Sequence, residues 1–251
     1  MLQPQNLPAA NPPLPLTASR NVRDLGGYPT ADGKETQFHV LLRGGDITHL
    51  TEEDLSYLYT YGVRQVVDLR GTEEAETKRD KIRGYKDVAY VHAPMFESIH
   101  SNFMQGPFPD DWDGMVKLYY SLLEDSKAAI RKAFSAIAAA PGATLFHCTA
   151  GKDRTGILSM LLLRLAGVPD AMIITDYQVS FENNSALMER LMAERMGQDI
   201  DVPVHVFYSK PEYMEKALAY LDDTYGSAQA YLLQIGVTQQ ELDAIIARLV
   251  G

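Results

Sequence analysis

The sequence predicts an α/β fold in which a central, mostly parallel sheet is flanked by helices, with extra helices in the C-terminal half. Short apolar runs alternate with helical stretches between residues 38 and 165, the pattern of parallel strands joined by crossover helices. The run Ala143-Thr144-Leu145-Phe146-His147 is bounded by Pro141-Gly142 and passes through a glycine-containing turn into an apolar helix, so it reads as a buried strand feeding a helix. With 251 residues, 46% of them apolar, the chain can bury one large core, and a single domain with helical additions fits best.

The elements follow in order. Met1 to Leu16 is rich in Pro, Asn and Gln, and residues 1–18 read as a flexible tail; the segment lacks the basic start and apolar block of a secretory signal. Phe38-His39-Val40-Leu41-Leu42 is a strand, and Thr51-Glu52-Glu53-Asp54 opens a helix with a capping pattern. Gln65-Val66-Val67-Asp68-Leu69 is a second buried strand and Ala89 to His92 a third; Asp113 to Ala140 is mostly helical. After the strand ending at His147, Thr155 to Leu165 carries apolar residues on nearly every face and reads as a buried helix. From Asp170 the chain stays helical, with breaks at Gly197 to Val204 and at Ser209-Lys210-Pro211. Met188, Leu191, Met192 and Met196 pair with a later stripe of Tyr213, Ala217, Tyr220 and Leu221 at helical spacing. Tyr220 to Gly251 reads as a closing pair of helices stopped by Gly226 and Gly236.

The chemistry concentrates between the strand at residue 143 and the helix at residue 155. Phe146 to Gly156 places the chain's only cysteine at the mouth of a tight strand-to-helix turn, whose backbone N–H groups gather at the positive end of a helix dipole. Such a nest takes a dianion. Cys148, beside His147 and facing Arg154, has the kind of setting that favours a thiolate. The Arg154 guanidinium offers a planar fork to two phosphoryl oxygens, a geometry Lys lacks. Thr149, Ala150 and Gly151 supply loop amides, Gly151 and Gly156 permit positive φ, and Thr155 can donate a hydrogen bond to the sulfur. Lys152 adds a second cation at the rim, and Asp153 brings a carboxyl group near a leaving oxygen. Asp68 and Arg70, at a strand's carboxyl end, line or brace the loop or form a structural ion pair there.

His147-Cys148-Thr149-Ala150-Gly151-Lys152-Asp153-Arg154-Thr155-Gly156 resembles the phosphate-binding loop of the cysteine-dependent protein tyrosine phosphatases, most closely an atypical bacterial branch with Lys-Asp before the arginine. Members of that branch include secreted enzymes of intracellular pathogens acting on phosphotyrosine and phosphoinositides. Asn21 to Tyr28, Leu42-Arg43-Gly44-Gly45, Val67 to Arg70, Thr175-Asp176-Tyr177, Tyr225-Gly226-Ser227 and Gly236-Val237 agree. The resemblance implies one phosphatase domain over residues 19–251, with 183–222 a helical insertion that can cover the site. It implies a metal-independent phosphomonoesterase without cofactors, using Cys148 as nucleophile, Arg154 as clamp and Asp153 as general acid. Conventional members carry the acid on a Trp-Pro-Asp loop, which this chain lacks; Pro109-Asp110-Asp111-Trp112-Asp113, Asp111 above all, is the alternative source.

The formal net charge of −10 argues against nucleic acid as a partner, and no apolar run approaches the length of a membrane span. The expected partner is a phosphorylated protein or a phosphoinositide, with no stable membrane insertion; oligomeric state is not legible. The chain is expected in the cytoplasm, or secreted with the signal absent from this sequence. A single cysteine leaves Cys148 without a resolving thiol. The competing classes are a phosphate-binding pseudophosphatase, which retention of Cys148, Arg154 and Thr155 opposes, and a sulfurtransferase, whose loop lacks Lys152-Asp153-Arg154-Thr155.

Overall fold

A computed structural model of the chain describes residues 8–96, 112–185 and 208–251. Among the described residues, five strands form one sheet: β1 (Arg23–Asp24), β2 (Leu41–Gly44), β3 (Val63–Asp68), β4 (Ala89–His92) and β5 (Ala143–His147). Their order is β1-β2-β5-β3-β4, with β1 antiparallel to β2 and the remaining pairs parallel. The last strand in sequence is therefore the central one, and β2 and β3 deliver their carboxyl ends beside its own: Gly44 and Asp68 both pair with His147.

Strand alternation divides the core in two. Leu42, Val66 and Leu145 turn to one face, where they meet Leu55 and Leu58 of α1 (Glu52–Tyr61). Leu41, Val67 and Phe146 turn to the other, under α3 (Trp112–Asp125), α4 (Lys127–Ala138) and α5 (Asp153–Leu165). Covering both faces makes these strands near-continuous apolar runs. Between β3 and β4 lies the six-residue α2 (Thr72–Thr77). The C-terminal half adds α6 (Asp170–Asn183), α7 (Pro211–Tyr225), α8 (Ala228–Gln234) and α9 (Gln239–Leu249).

Most elements fall where the sequence placed them, and the departures have physical causes. The capping box at Thr51 and Asp54 is formed as read. The strand expected over 38–42 is shifted to Leu41–Gly44, because His39 takes φ 62° and gives its N–H to Asp24 (2.9 Å), while Phe38 lies across Gly26 and stays 51% exposed. The closing pair is three helices, since Gly226 and Gly236, at φ 80° and 93°, stop α7 and α8 before a second capping box starts α9 at Thr238. The expected flexible tail is fastened over part of its length. Asn11 Nδ2 donates to the carbonyls of Asp24 (2.9 Å) and Gly26 (2.8 Å), Leu14 N–H to Val22 (2.7 Å) and Thr17 N–H to Asp54 (2.8 Å).

Of the expected insertion over 183–222, the α7 portion is a core helix burying Tyr213, Met214, Ala217, Leu218 and Leu221. The methionine stripe from Met188 to Met196 lies outside the described residues. No helix among those described is long and apolar enough to cross a membrane.

Candidate active site

The turn from β5 into α5 spans Cys148 to Lys152. Its conformation is held from outside. Thr149 carbonyl accepts from Asp46 N–H (2.8 Å), Ala150 carbonyl from Asn21 Nδ2 (3.0 Å) and Asn184 Nδ2 (2.9 Å), and Gly151 carbonyl from Asn21 Nδ2 (3.1 Å) and Arg43 Nη2 (2.8 Å). All peptide bonds here are trans, so a carbonyl turned outward turns the following N–H inward. The amides of Ala150, Gly151 and Lys152 thus converge, beside the positive end of α5. Gly151 makes this possible: at φ 65°, a Cβ there would stand 2.4 Å from the Gly44 carbonyl oxygen. Gly156, read as permitting positive φ, lies inside α5 against Tyr177 and does not use that freedom. Gly151→Ala is expected to displace the loop and lower stability by at least about 1–2 kcal/mol, the cost of a left-handed non-glycine residue, with loss of inorganic phosphate binding; calorimetry and phosphate titration check both.

Cys148 is 2% exposed, and Thr155 Oγ1 donates to its Sγ at 3.1 Å. Arg154 lies in the first turn of α5, which starts two residues before the expected Thr155. Its guanidinium faces Glu74 of α2, with Nη1 2.8 Å from Oε2 and Nη2 3.3 Å from Oε1. Glu74 also accepts from the Thr149 hydroxyl. Burial works against the Arg154 cation, but neighbouring Cys148, Glu74 and Asp153 outweigh it and raise its pKa.

Beneath the loop, Arg23 and Arg43 converge on Asp176. Arg23 Nε reaches Oδ1 at 2.8 Å, Arg43 Nη1 reaches Oδ2 at 2.5 Å, and Tyr28 Oη donates to Oδ1 at 3.0 Å. Burial pushes the Asp176 carboxyl up, and the two guanidinium groups more than reverse that, lowering it to about 2. Arg23 and Asn183 also bind Asn21 Oδ1, which turns that amide's N–H₂ towards the loop carbonyls.

Asp153, next to Arg154, is partly open, its side chain 24% exposed. Tyr119 Oη of α3 donates to its Oδ1 at 2.7 Å, and Tyr177 Oη of α6 lies 2.5 Å from Tyr119 Oη. Burial, reinforced by the charge of Asp153, holds both phenols well above their usual range. Lys152, expected as a cation at the rim, is 2% exposed; its Nζ sits 3.1 Å from the Tyr208 carbonyl and 3.4 Å from Asp153 Oδ1.

Asp68 and Arg70 stand behind the loop rather than lining it, Asp68 against His147 and Arg70 facing Asp46, whose N–H holds the Thr149 carbonyl. Arg70 Nη2 bridges Asp68 (2.6 Å) and Asp80 (2.7 Å), and His147 Nε2 lies 3.2 Å from Asp80. Burial disfavours the imidazolium, but the charges of Asp68 and Asp80 win and raise its pKa. Asp68, Asp80 and His147 are close enough to share a metal ion, yet the Arg70 guanidinium already faces both carboxylates, and a second cation there would be repelled. Of the alternative acids, Asp113 is exposed in the first turn of α3, while Asp110 and Asp111 lie outside the described residues. Glu74, Tyr119 and Asp80 are partners that sequence reasoning missed.

A family model described as the tyrosine phosphatase family matches residues 14–251. The chain is 34% identical over 219 residues to a tyrosine-protein phosphatase of Nostoc commune, covering 83% of this chain and 73% of that one. It is 30% identical over 232 residues to a putative tyrosine-protein phosphatase of Cupriavidus necator (87% and 83% covered). A shorter match, 32% identical over 121 residues, joins it to the triple specificity protein phosphatase PtpB of Mycobacterium tuberculosis (43% and 44% covered).

Proposed function

Because the chain belongs to the tyrosine phosphatase family, we propose that it hydrolyses phosphotyrosine, and by the same loop phosphoserine, phosphothreonine and phosphoinositides, through a phosphocysteine on Cys148. The observation that carries this reading is the 3.1 Å hydrogen bond from Thr155 to the sulfur, at the start of a loop whose amides converge. The breadth of substrates is suggested by the triple specificity of PtpB, a partial relative.

In the first step the Cys148 thiolate attacks phosphorus in line, the S–P bond forms, and the P–O bond to the leaving group breaks. Asp153 gives its proton to the departing oxygen. The loop amides of Ala150, Gly151 and Lys152 and the Arg154 guanidinium hold the equatorial oxygens, supplying charge stabilisation from fixed donors. In the second step water attacks phosphorus, Asp153 takes a proton from it, and the sulfur leaves as a thiolate stabilised by Thr155. To reach those oxygens, Arg154 shares its fork between substrate and Glu74, which fixes the guanidinium plane.

The test is release of inorganic phosphate, with EDTA present, from a phosphotyrosine peptide, a phosphoserine peptide and a phosphatidylinositol monophosphate. Wild type should cleave at least the first, and Asp153→Asn should lower kcat by about 10²–10⁴-fold, the range of a lost general acid. Binding of all three without turnover would instead establish the pseudophosphatase reading. Full activity of Asp153→Asn would move the acid to Asp110–Asp113.

A further inference from the structure

We propose that Tyr119 is a positioning residue for the acid, directing the proton of Asp153 onto Oδ2; this rests on the reading of Asp153 given above. A carboxylic acid carries one proton on one of two oxygens, and only the oxygen facing the leaving group can deliver it. Tyr119 Oη, 2.7 Å from Oδ1, donates to that oxygen, because its own ionisation is pushed far out of range by burial and by the Asp153 charge. Lys152 Nζ, at 3.4 Å, approaches the same oxygen. Oδ1 therefore faces an O–H donor and an ammonium and has no room for a proton of its own. The proton sits on Oδ2, and water returns it there in the second step.

The direction of the chain is fixed by counting. Tyr119 has one hydroxyl proton, and it is engaged in the hydrogen bond that Asp153 Oδ1 accepts, so on this proposal the 2.5 Å contact between the phenols is a donation from Tyr177 to Tyr119. That donation polarises the Tyr119 hydroxyl and makes it a stronger donor. Rigidity comes from packing: Tyr119 and Tyr177 are fully buried and meet edge to face at 6.0 Å between ring centres. The acid itself projects from the first turn of α5 and is partly open, so its rotamer needs an external hold.

A purely structural role makes a different forecast. If Asp153 merely satisfied a buried phenol, Tyr119→Phe would change stability and leave the chemistry alone. As a donor to the carboxylate, Tyr119 favours the ionised form of Asp153. Removing it takes away a hydrogen bond to the charged carboxylate, and the basic limb of the kcat profile, where the acid is lost, is expected to move to higher pH.

The experiment measures kcat against pH for wild type, Tyr119→Phe, Tyr177→Phe and Asp153→Asn, using aryl phosphates whose phenols range from strongly to weakly acidic. In Asp153→Asn, kcat should fall steeply as the phenol becomes less acidic and lose its basic limb. In Tyr119→Phe we expect a loss of about tenfold or more on the weakly acidic phenols, little loss on the strongly acidic ones, and a basic limb about one pH unit higher, the scale of one hydrogen bond to a charged group. Tyr177→Phe keeps the donor and should shift the limb less, in the same direction; it also carries the test if Tyr119→Phe fails to fold. A lowered Tm with unchanged limb and unchanged leaving-group dependence, in whichever variants fold, overturns the positioning role alone. A leaving-group-independent Asp153→Asn removes Asp153 as the acid and the proposal with it.

Discussion

Cys148→Ser should lower phosphate release by at least about 10⁴-fold, the scale of losing a covalent nucleophile, while leaving the protein folded and able to hold a phosphotyrosine peptide. The size follows from both steps. A hydroxyl at neutral pH is a far weaker nucleophile than a thiolate, and the side chain hydrogen-bonded to the atom at residue 148, Thr155 at 3.1 Å, is itself a donor and not a base. A phosphoserine, if formed, would also hydrolyse slowly, since an alkoxide leaves less readily than a thiolate. Binding survives because the convergent amides and Arg154 do not depend on the sulfur; their geometry is set by Asn21, Arg43, Asp46, Asn184 and Glu74. Phosphate release and peptide titration on the same preparation separate the two effects. A serine variant retaining a tenth of wild-type turnover would remove Cys148 as the nucleophile.

Asp176→Asn should carry the largest loss of stability, about 3–5 kcal/mol, the usual cost of removing one partner from a buried ion pair. Asp176 accepts on both oxygens, from Arg23 and Tyr28 on Oδ1 and from Arg43 on Oδ2. An asparagine presents an N–H₂ to one of those donors and leaves two buried guanidinium groups with no counter-charge. The pH dependence has a definite sign. The folded carboxyl is lowered to about 2, below the ordinary value of about 3.9 expected once unfolded, so its contribution is present above pH about 4 and is lost as pH falls through about 2. The gap between wild type and variant in denaturant unfolding should therefore hold from neutral pH down to about 4 and close below it. A gap that widened on acidification would exclude this account. Because Arg43 also carries the Gly151 carbonyl, the variant should lose phosphate affinity as well.

The parts of the site that were legible are those written in consecutive residues. Phe146 to Gly156 announced a strand, a nest and a helix because local spacing alone requires them, and Ala89–His92 and the Thr51 capping box were read for the same reason. The supports of the site are not local. Glu74 is one of three glutamates within six residues of a short helix, and only the tertiary position of Arg154, 80 residues on, selects it. A tyrosine on an amphipathic helix reads as core, which Tyr119 is; its hydroxyl meets Asp153 only because α3 and α5 pack together. Arg43 interrupts an apolar strand, and its partner Asp176 lies 133 residues away. The two-residue β1 is too short for any periodicity.

The pinning of the loop carbonyls by Asn21, Arg43, Asp46 and Asn184 has a consequence for how this protein acquires its activity. These anchors come from the chain's first fifth and from well beyond the loop itself, so no fragment around residues 143–165 contains what shapes its own turn. The nest is complete only when segments far apart in the chain have met. Turnover should therefore double as a readout of finished tertiary structure, and a molecule lacking the anchors is expected to be silent, not indiscriminate.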